Sequence, residues 1–221
     1  MHHLSVSLES WPIAGSFTIS RGSRTTSEVV VVTLERDGAK GWGECVPYRH
    51  YGETVAGVAA ALEAARTKIE SGIHHEEIPR LLEPKAARNA LDCALWDLEA
   101  KLARQPVWKL LNVSEPQPLV TAYTLSLGSA DDMAAAAAQA ADRPLLKVKL
   151  GSEADGDRLR AVRRAAPRSR LIVDANEAWQ ADALPRLFGI CADVGVELVE
   201  QPLAAGRDEA LVGFDRRSVL I

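Results

Sequence analysis

Leu145–Leu150 reads L-L-K-V-K-L, Leu171–Glu177 reads L-I-V-D-A-N-E, and Val196–Leu203 reads V-E-L-V-E-Q-P-L. Each holds an apolar run of strand length that ends in charged groups. Lys147 and Lys149 stand two apart, so on a strand both side chains point to one face. Asp174 follows Lys149, and Glu200 follows Asp174, at nearly equal intervals, each close to one strand–helix–strand crossover of roughly 30 residues. The segments between them, 155–166 and 180–194, read as helices. Repeated βα units set parallel strands side by side with their C-terminal ends along one rim, where (β/α)8 barrels carry their active sites. Two lysines, an aspartate and a glutamate therefore converge there. A single charge at a strand end carries little information, because the chain reaches water at that point. A Lys-x-Lys inside an apolar strand carries more, because two ammonium groups are costly to bury without a task. Three successive endings, K-x-K, D-x-N and E-Q-P, define a candidate site.

The pattern extends in both directions. From Leu119 onward, strands alternate with helices: a strand over 119–125, a helix over 131–141 with an alanine-rich packing face, then the three quoted strands. A short helix over 209–214 and the start of a fifth strand over 218–221 close the chain. Such alternation predicts a parallel sheet in a (β/α) barrel, here about four βα units. Toward the N-terminus the pattern changes. Residues 4–9 alternate as L-S-V-S-L-E, residues 28–35 hold V-V-V-V-T-L, a D-G turn follows at Asp37–Gly38, and residues 41–44 return. This predicts an antiparallel meander. The polar stretch Phe17–Ser27, with Arg21, Gly22 and Arg24, reads as a loop that either fills surface or covers a site. Val58, Leu62, Ala65 and Ile69 give helical spacing from Thr54, residues 85–102 form a second strong helix, and 106–111 a short one. Pro116 and Pro118 mark a linker. The expected organisation is an α+β capping domain over 1–115 and an α/β barrel domain over 116–221.

The chain has 221 residues, 47% of them hydrophobic, and a formal net charge of −4. That suffices for one or two domains with a large core. There is no basic run to suggest nucleic acid, no apolar stretch near the ~20 residues of a membrane helix, and no secretory signal pattern at the N-terminus. Cys45, Cys93 and Cys191 are odd in number and widely spaced, which suits free thiols in a reducing cytoplasm. His74-His75-Glu76-Glu77 reads as a solvated helix start.

Lys147-Val-Lys149, Asp174-Ala-Asn176 and Glu200-Gln-Pro resemble the enolase superfamily in its mandelate racemase/muconate lactonizing enzyme branch. Ala87–Leu98 (A-R-N-A-L-D-C-A-L-W-D-L), Gly41–Tyr48 (G-W-G-E-C-V-P-Y) and Ala122–Ser126 (A-Y-T-L-S) extend the resemblance over essentially the whole chain. Within that branch it is most similar to dipeptide epimerases of the L-Ala-D/L-Glu type, which serve cell-wall peptide recycling. Muconate cycloisomerases, o-succinylbenzoate synthases and N-acylamino acid racemases share the same motifs. The resemblance implies Mg²⁺ as cofactor, a small-molecule dipeptide as substrate, and abstraction of an α-proton through an enediolate. Enolase-type sites use a lysine or histidine base with Mg²⁺ stabilising the enediolate.

By the same resemblance, Asp174 and Glu200 are metal ligands, Lys149 is the base on one face of the substrate, and Lys147 is its electrostatic partner. The neighbouring ammonium, the cation and partial burial would lower the pKa of the lysine base. Asn176 supports the site. Thr124 lies at the substrate, and Arg24 and Arg21 are candidates for pairing with an acidic side chain of the dipeptide. The third metal ligand and the opposite-face lysine of the family fall after the fifth and sixth strands, beyond Ile221. The barrel portion is about 100 residues against ~250 for a whole barrel. The chain is therefore expected to be a fragment, a truncated product or the ordered part of something longer and, on its own, inactive and prone to associate. A homo-oligomer is compatible with this reading.

Overall fold

The computed structural model describes residues 1–152 and 154–221. They divide into two units, Met1–Ile13 with Thr26–Gln117, and Ala14–Thr25 with Pro118–Ile221.

The first three strands are β1 (His3–Ile19), β2 (Gly22–Arg36) and β3 (Ala39–Cys45), in the order β1-β2-β3. Val30, Val32 and Leu34 alternate inward with no exposure, which is why the valine run forms a half-buried strand. Asp37 (φ 51°) and Gly38 (φ 79°) turn β2 into β3, and Arg36 pairs with Ala39 across them. Two successive positive φ values are what a tight hairpin demands, and D-G supplies them cheaply.

Five helices follow: α1 (Val55–Ala64), α2 (Arg66–Glu70), α3 (Ile78–Leu81), α4 (Ala86–Ala103) and α5 (Val107–Leu110). The Thr54 hydroxyl accepts from the Gly57 amide and caps α1. α4 buries Ala90, Leu91, Ala94, Leu95 and Leu98 and lies directly on β3. A Cβ on Gly41 would stand 2.2 Å from the Ala94 carbonyl oxygen, and one on Gly43 2.0 Å from that of Ala90. The two glycines of G-W-G-E are therefore the contact by which the helix approaches the strand backbone to backbone.

In the second unit, β4 (Tyr123–Leu125), α6 (Ala130–Gln139), β5 (Leu145–Lys149), α7 (Asp155–Ala165), β6 (Arg170–Asp174), α8 (Leu184–Asp193) and β7 (Val196–Glu200) alternate along the chain. The four strands are parallel and adjacent in the order β4-β5-β6-β7. Leu146, Val148, Leu171 and Val173 are fully buried in one cluster with Leu159, Val162, Phe188 and Cys191 of the helices. The expected α/β architecture, with an antiparallel meander and helices ahead of it, is thus what the chain adopts.

Several boundaries differ from the sequence reading. The supposed loop over 17–27 is strand: β1 runs on to Ile19, β2 begins at Gly22, and only Ser20–Arg21 turn. Threonine and serine suit a hairpin whose backbone is satisfied by its neighbour. The strand expected over 119–125 contracts to three residues, because only Tyr123–Leu125 find partners on β5; Leu119 stays 90% exposed. The expected helix over 209–214 is a single 3-10 turn, Asp208–Leu211. The expected fifth strand is one bridge, Leu220 to Leu198. The helix start expected over 74–77 is a 3-10 turn, His75–Glu77, in which His75 is half-buried rather than solvated: it stacks on Trp96 and bonds Asp92 and Glu99. All three cysteines are free thiols. Among the described residues, no helix is long and apolar enough to cross a membrane.

A candidate active site at the strand ends

The sheet register aligns the charged groups. Lys149 pairs with Asp174 and Asp174 with Glu200 across adjacent strands, and Thr124 pairs with Lys147. On β5, Leu146 and Val148 turn into the core, so Lys147 and Lys149 share the opposite face.

The ammonium groups and carboxylates meet there. Lys149 Nζ donates to Asp174 Oδ2 at 2.5 Å, Lys147 Nζ stands 3.4 Å from the same oxygen, and Lys147 also donates to Glu200 Oε2. Asp174 is 2% exposed and Lys149 8%, so these charges are out of water and persist only because they are paired. The Asn176 amide donates to Asp174 Oδ1 at 2.9 Å. Burial pushes the Asp174 carboxyl up. The hydrogen bonds from Lys149 and the Asn176 amide, with the charges of both lysines, outweigh it and hold the group below the usual aspartate range. Burial likewise pulls Lys147 down, but the hydrogen bond to Glu200 and the charges of Asp174 and Glu200 prevail and hold it above the usual lysine value.

Whether these residues fit a cation turns on their donor set. Asp174 and Glu200 offer hard carboxylate oxygens on neighbouring strands. The side-chain oxygen of Asn176, two residues past Asp174, is buried without a hydrogen-bond partner, an acceptor left wanting on the same turn. Among the described residues, no three His, Cys, Asp or Glu side chains converge as a closed cage. Two carboxylates with the remaining positions open to water or substrate oxygen fit Mg²⁺, which is rarely held by an all-protein cage.

The outer part of the β1–β2 hairpin lies over these strand ends. The Leu127 amide donates to the Thr18 carbonyl at 3.1 Å, and Ser126 Oγ to the Ser16 carbonyl at 3.3 Å. Ser20 Oγ and Arg21 Nη1 each donate to the Asn176 carbonyl at 2.9 Å, and Arg21 stands 3.7 Å from Glu177. The Phe17 ring centroid lies 5.7 Å from Lys149 Nζ, with the Arg24 guanidinium 5.4 Å from the same centroid. Of the residues the sequence singled out, Lys147, Lys149, Asp174, Glu200 and Asn176 come together, Thr124 shares the face of Lys147, and Arg21 and Arg24 sit on the overlying hairpin.

Sequence reasoning missed Phe17, Ser20 and Asp155. Asp155 is fully buried. Its carboxylate accepts from the Gly151 and Ser152 amides at 3.0 and 3.1 Å, from Trp179 Nε1 at 2.8 Å and from Arg158 Nη1 at 2.9 Å. It ties the loop after β5 to the loop after β6. The available signal was an aspartate opening a helix just past K-x-K, with a tryptophan just past D-A-N.

Residues 1–112 match the mandelate racemase/muconate lactonizing enzyme N-terminal domain, and residues 132–219 match the enolase C-terminal domain-like family. The chain belongs to the mandelate racemase/muconate lactonizing enzyme branch of the enolase superfamily. It is 44% identical over 216 residues to the L-Ala-D/L-Glu epimerase of Escherichia coli K12, covering 97% of this chain and 67% of that protein. A crystal structure of an enolase family member from Agrobacterium tumefaciens, described as homologous to dipeptide epimerases and holding sodium and L-Ala-L-Glu, superposes with a TM-score of 0.96 at 47% identity, over 100% of this chain and 68% of that one. A dipeptide epimerase from Enterococcus faecalis complexed with Mg and L-Leu-L-Tyr gives a TM-score of 0.85 at 29% identity, over 94% and 62%. The chain thus spans about two thirds of the length of these relatives.

Proposed function

We propose that the full-length protein is a Mg²⁺-dependent isomerase that epimerises dipeptides of the L-Ala-D/L-Glu type by moving an α-proton. This chain would supply the base for one face and two ligands of the cation. The observation that carries the reading is the in-register row of Lys149, Asp174 and Glu200, with Lys147 on the same face. The similarity to relatives named for dipeptide epimerisation supports the choice of substrate class.

Asp174 and Glu200 would hold the cation, which when bound supplies positive charge for the substrate carboxylate as its oxygens gain charge. Lys149 takes the α-proton. It does so as the neutral amine, whose lone pair receives the proton; its Nζ lies 2.5 Å from Asp174 Oδ2, the oxygen it shares with Lys147. Lys147, on the same face and facing both carboxylates, counters the substrate carboxylate. The hairpin excludes water from the strand ends, and Arg24 reads the acidic side chain. Return of the proton on the opposite face falls to a group outside residues 1–221.

The test is exchange of the α-proton of L-Ala-D-Glu by the full-length protein in D2O with Mg²⁺, followed by NMR. Wild type should wash deuterium into that position and invert the centre. Lys149→Ala should cut the rate by about 10²–10⁴-fold while still binding Mn²⁺. Absence of exchange in wild type with acidic and apolar dipeptides alike rejects the reading, and an active Lys149→Ala removes Lys149 as the base.

A further inference from the structure

Asn176 (φ 50°) and Glu177 (φ 66°) are consecutive non-glycine residues in the left-handed region, and Gln201 (φ 47°) is a third on the neighbouring strand end. A non-glycine residue in that region is uncommon, and two in succession persist where their surroundings enforce them. Part of that enforcement comes from the sheet: the Ala175 amide donates to the Glu200 carbonyl at 3.0 Å, and the Glu177 amide to the Gln201 carbonyl at 2.8 Å. The other part comes from the hairpin, since the Asn176 carbonyl receives both Ser20 Oγ and Arg21 Nη1. The amide of the same Asn176 donates to Asp174 Oδ1. One strained residue therefore joins the carboxylate of a proposed cation ligand to the tip of the hairpin. The tip is fitted closely elsewhere too. A Cβ on Gly151, two residues past Lys149, would stand 2.8 Å from Ser20 Cβ and 3.0 Å from Leu127.

We propose that Ser20 and Arg21 are positioning residues. They latch the hairpin onto the Asn176–Glu177 turn and so fix the Asp174 carboxylate for the cation, rather than reading the substrate. This rests on the metal reading given above. A guanidinium already committed to a backbone carbonyl and placed beside Glu177 is poorly suited to greet an acidic dipeptide; Arg24, over the Phe17 ring, is the one left to that task. Closure and cation binding are then reciprocal: whatever holds the turn in its left-handed form strengthens both.

The experiment uses the full-length protein without any dipeptide. Mn²⁺ affinity is measured by EPR, and protection of the 14–25 amides by hydrogen exchange. Outer-shell partners of metal ligands typically carry about 10–100-fold in metal affinity. Arg21→Ala is expected to weaken Mn²⁺ about tenfold and to deprotect the hairpin, and Ser20→Ala to do both to a lesser extent. Arg21→Lys, which keeps a donor, should recover part of the loss. Arg24→Met should leave Mn²⁺ affinity unchanged. If Arg21→Ala misfolds, Ser20→Ala and Arg21→Lys decide. Wild-type Mn²⁺ affinity in the folded Arg21 and Ser20 variants overturns the latch while leaving the epimerase reading intact. A wild-type protein that binds no Mn²⁺ defeats both.

Discussion

The two units treat charge in opposite ways. In the unit built on Met1–Ile13 and Thr26–Gln117, charges stay at the surface in local pairs such as Arg66 with Glu63 and Glu70, and Lys101 with Asp97. Exposed pairs of this kind contribute little, of order 0–1 kcal/mol. Its buried polar side chain, among the described residues, is His2. The unit carrying the parallel sheet buries Lys149, Asp155, Ser169, Asp174 and Asn176. Even there the buried charges are of two kinds. Asp155 is surrounded by donors it never needs to release. Lys149 and Asp174 satisfy each other, and that is an arrangement a ligand can take apart. The lesson is that burial alone does not identify chemistry. A buried charge held mainly by fixed backbone amides and an indole builds the frame, whereas one whose charge is balanced by a lysine on the next strand is available for work.

The contrast can be broken most forcefully at Asp155. Asp155→Ala leaves Trp179 Nε1 and two amides without their acceptor, while Arg158 keeps the Gly128 carbonyl and Ser152 Oγ. Removing one member of a buried charged network typically costs about 3–5 kcal/mol, which should appear as a large drop in urea midpoint. A loss under about 1 kcal/mol, the exposed-pair range, would mean that Asp155 behaves like a surface charge. In the first unit, the largest single effect belongs to a glycine rather than a charge. Gly43→Ala forces a methyl into the Ala90 carbonyl, and overpacking of this type costs about 1–3 kcal/mol. A neutral result by urea unfolding would show that α4 can lift off β3.

The smallest effect is at His2. Its Nδ1 lies 3.3 Å from the Ile69 carbonyl, and its Nε2 3.2 Å from the Arg36 guanidinium, which fits a neutral ring that donates at one nitrogen and accepts at the other. Burial, then the nearby Arg36, lowers its pKa despite the Ile69 bond. The unfolded chain therefore binds more protons here than the folded one below about pH 6.5, and stability should fall as pH drops through that value. His2→Asn, which keeps a donor near Nδ1 but cannot titrate, should flatten the dependence by up to about 1 kcal/mol per pH unit. An unchanged slope between pH 7.5 and 5 would assign it to other groups.

What could be read in advance follows from where the information lies. The strands at 170–174 and 196–200 were legible because each is an apolar run closed by a charge, Asp174 in one and Glu200 in the other. The strand over 119–125 was overdrawn, because Leu119 and Val120 are apolar yet have no partner in the sheet, and a strand exists only where it is paired. The charged row was legible because side-chain type and spacing encode it. The docking of Ser20 and Arg21 was not, because their acceptor is the carbonyl of Asn176, a group every residue carries and no sequence advertises. Phe17 was hidden for a related reason: a hairpin of threonines and serines satisfied by its own backbone looks like a loop.

The in-register row has a consequence for insertions and deletions. Lys149, Asp174 and Glu200 are level because three strands end together, β7 coming into phase with β6 only from Leu198 onward, and the helices between them merely return the chain. α7 and α8 can therefore gain or lose a turn on the outside without moving the row. A single residue added within β6 would be of another order: side chains alternate across a strand, so Asp174 would swing to the helix side and Val173 would take its place among the lysines. Length variation among related chains should accordingly collect in the returning helices and loops and spare the three short strands.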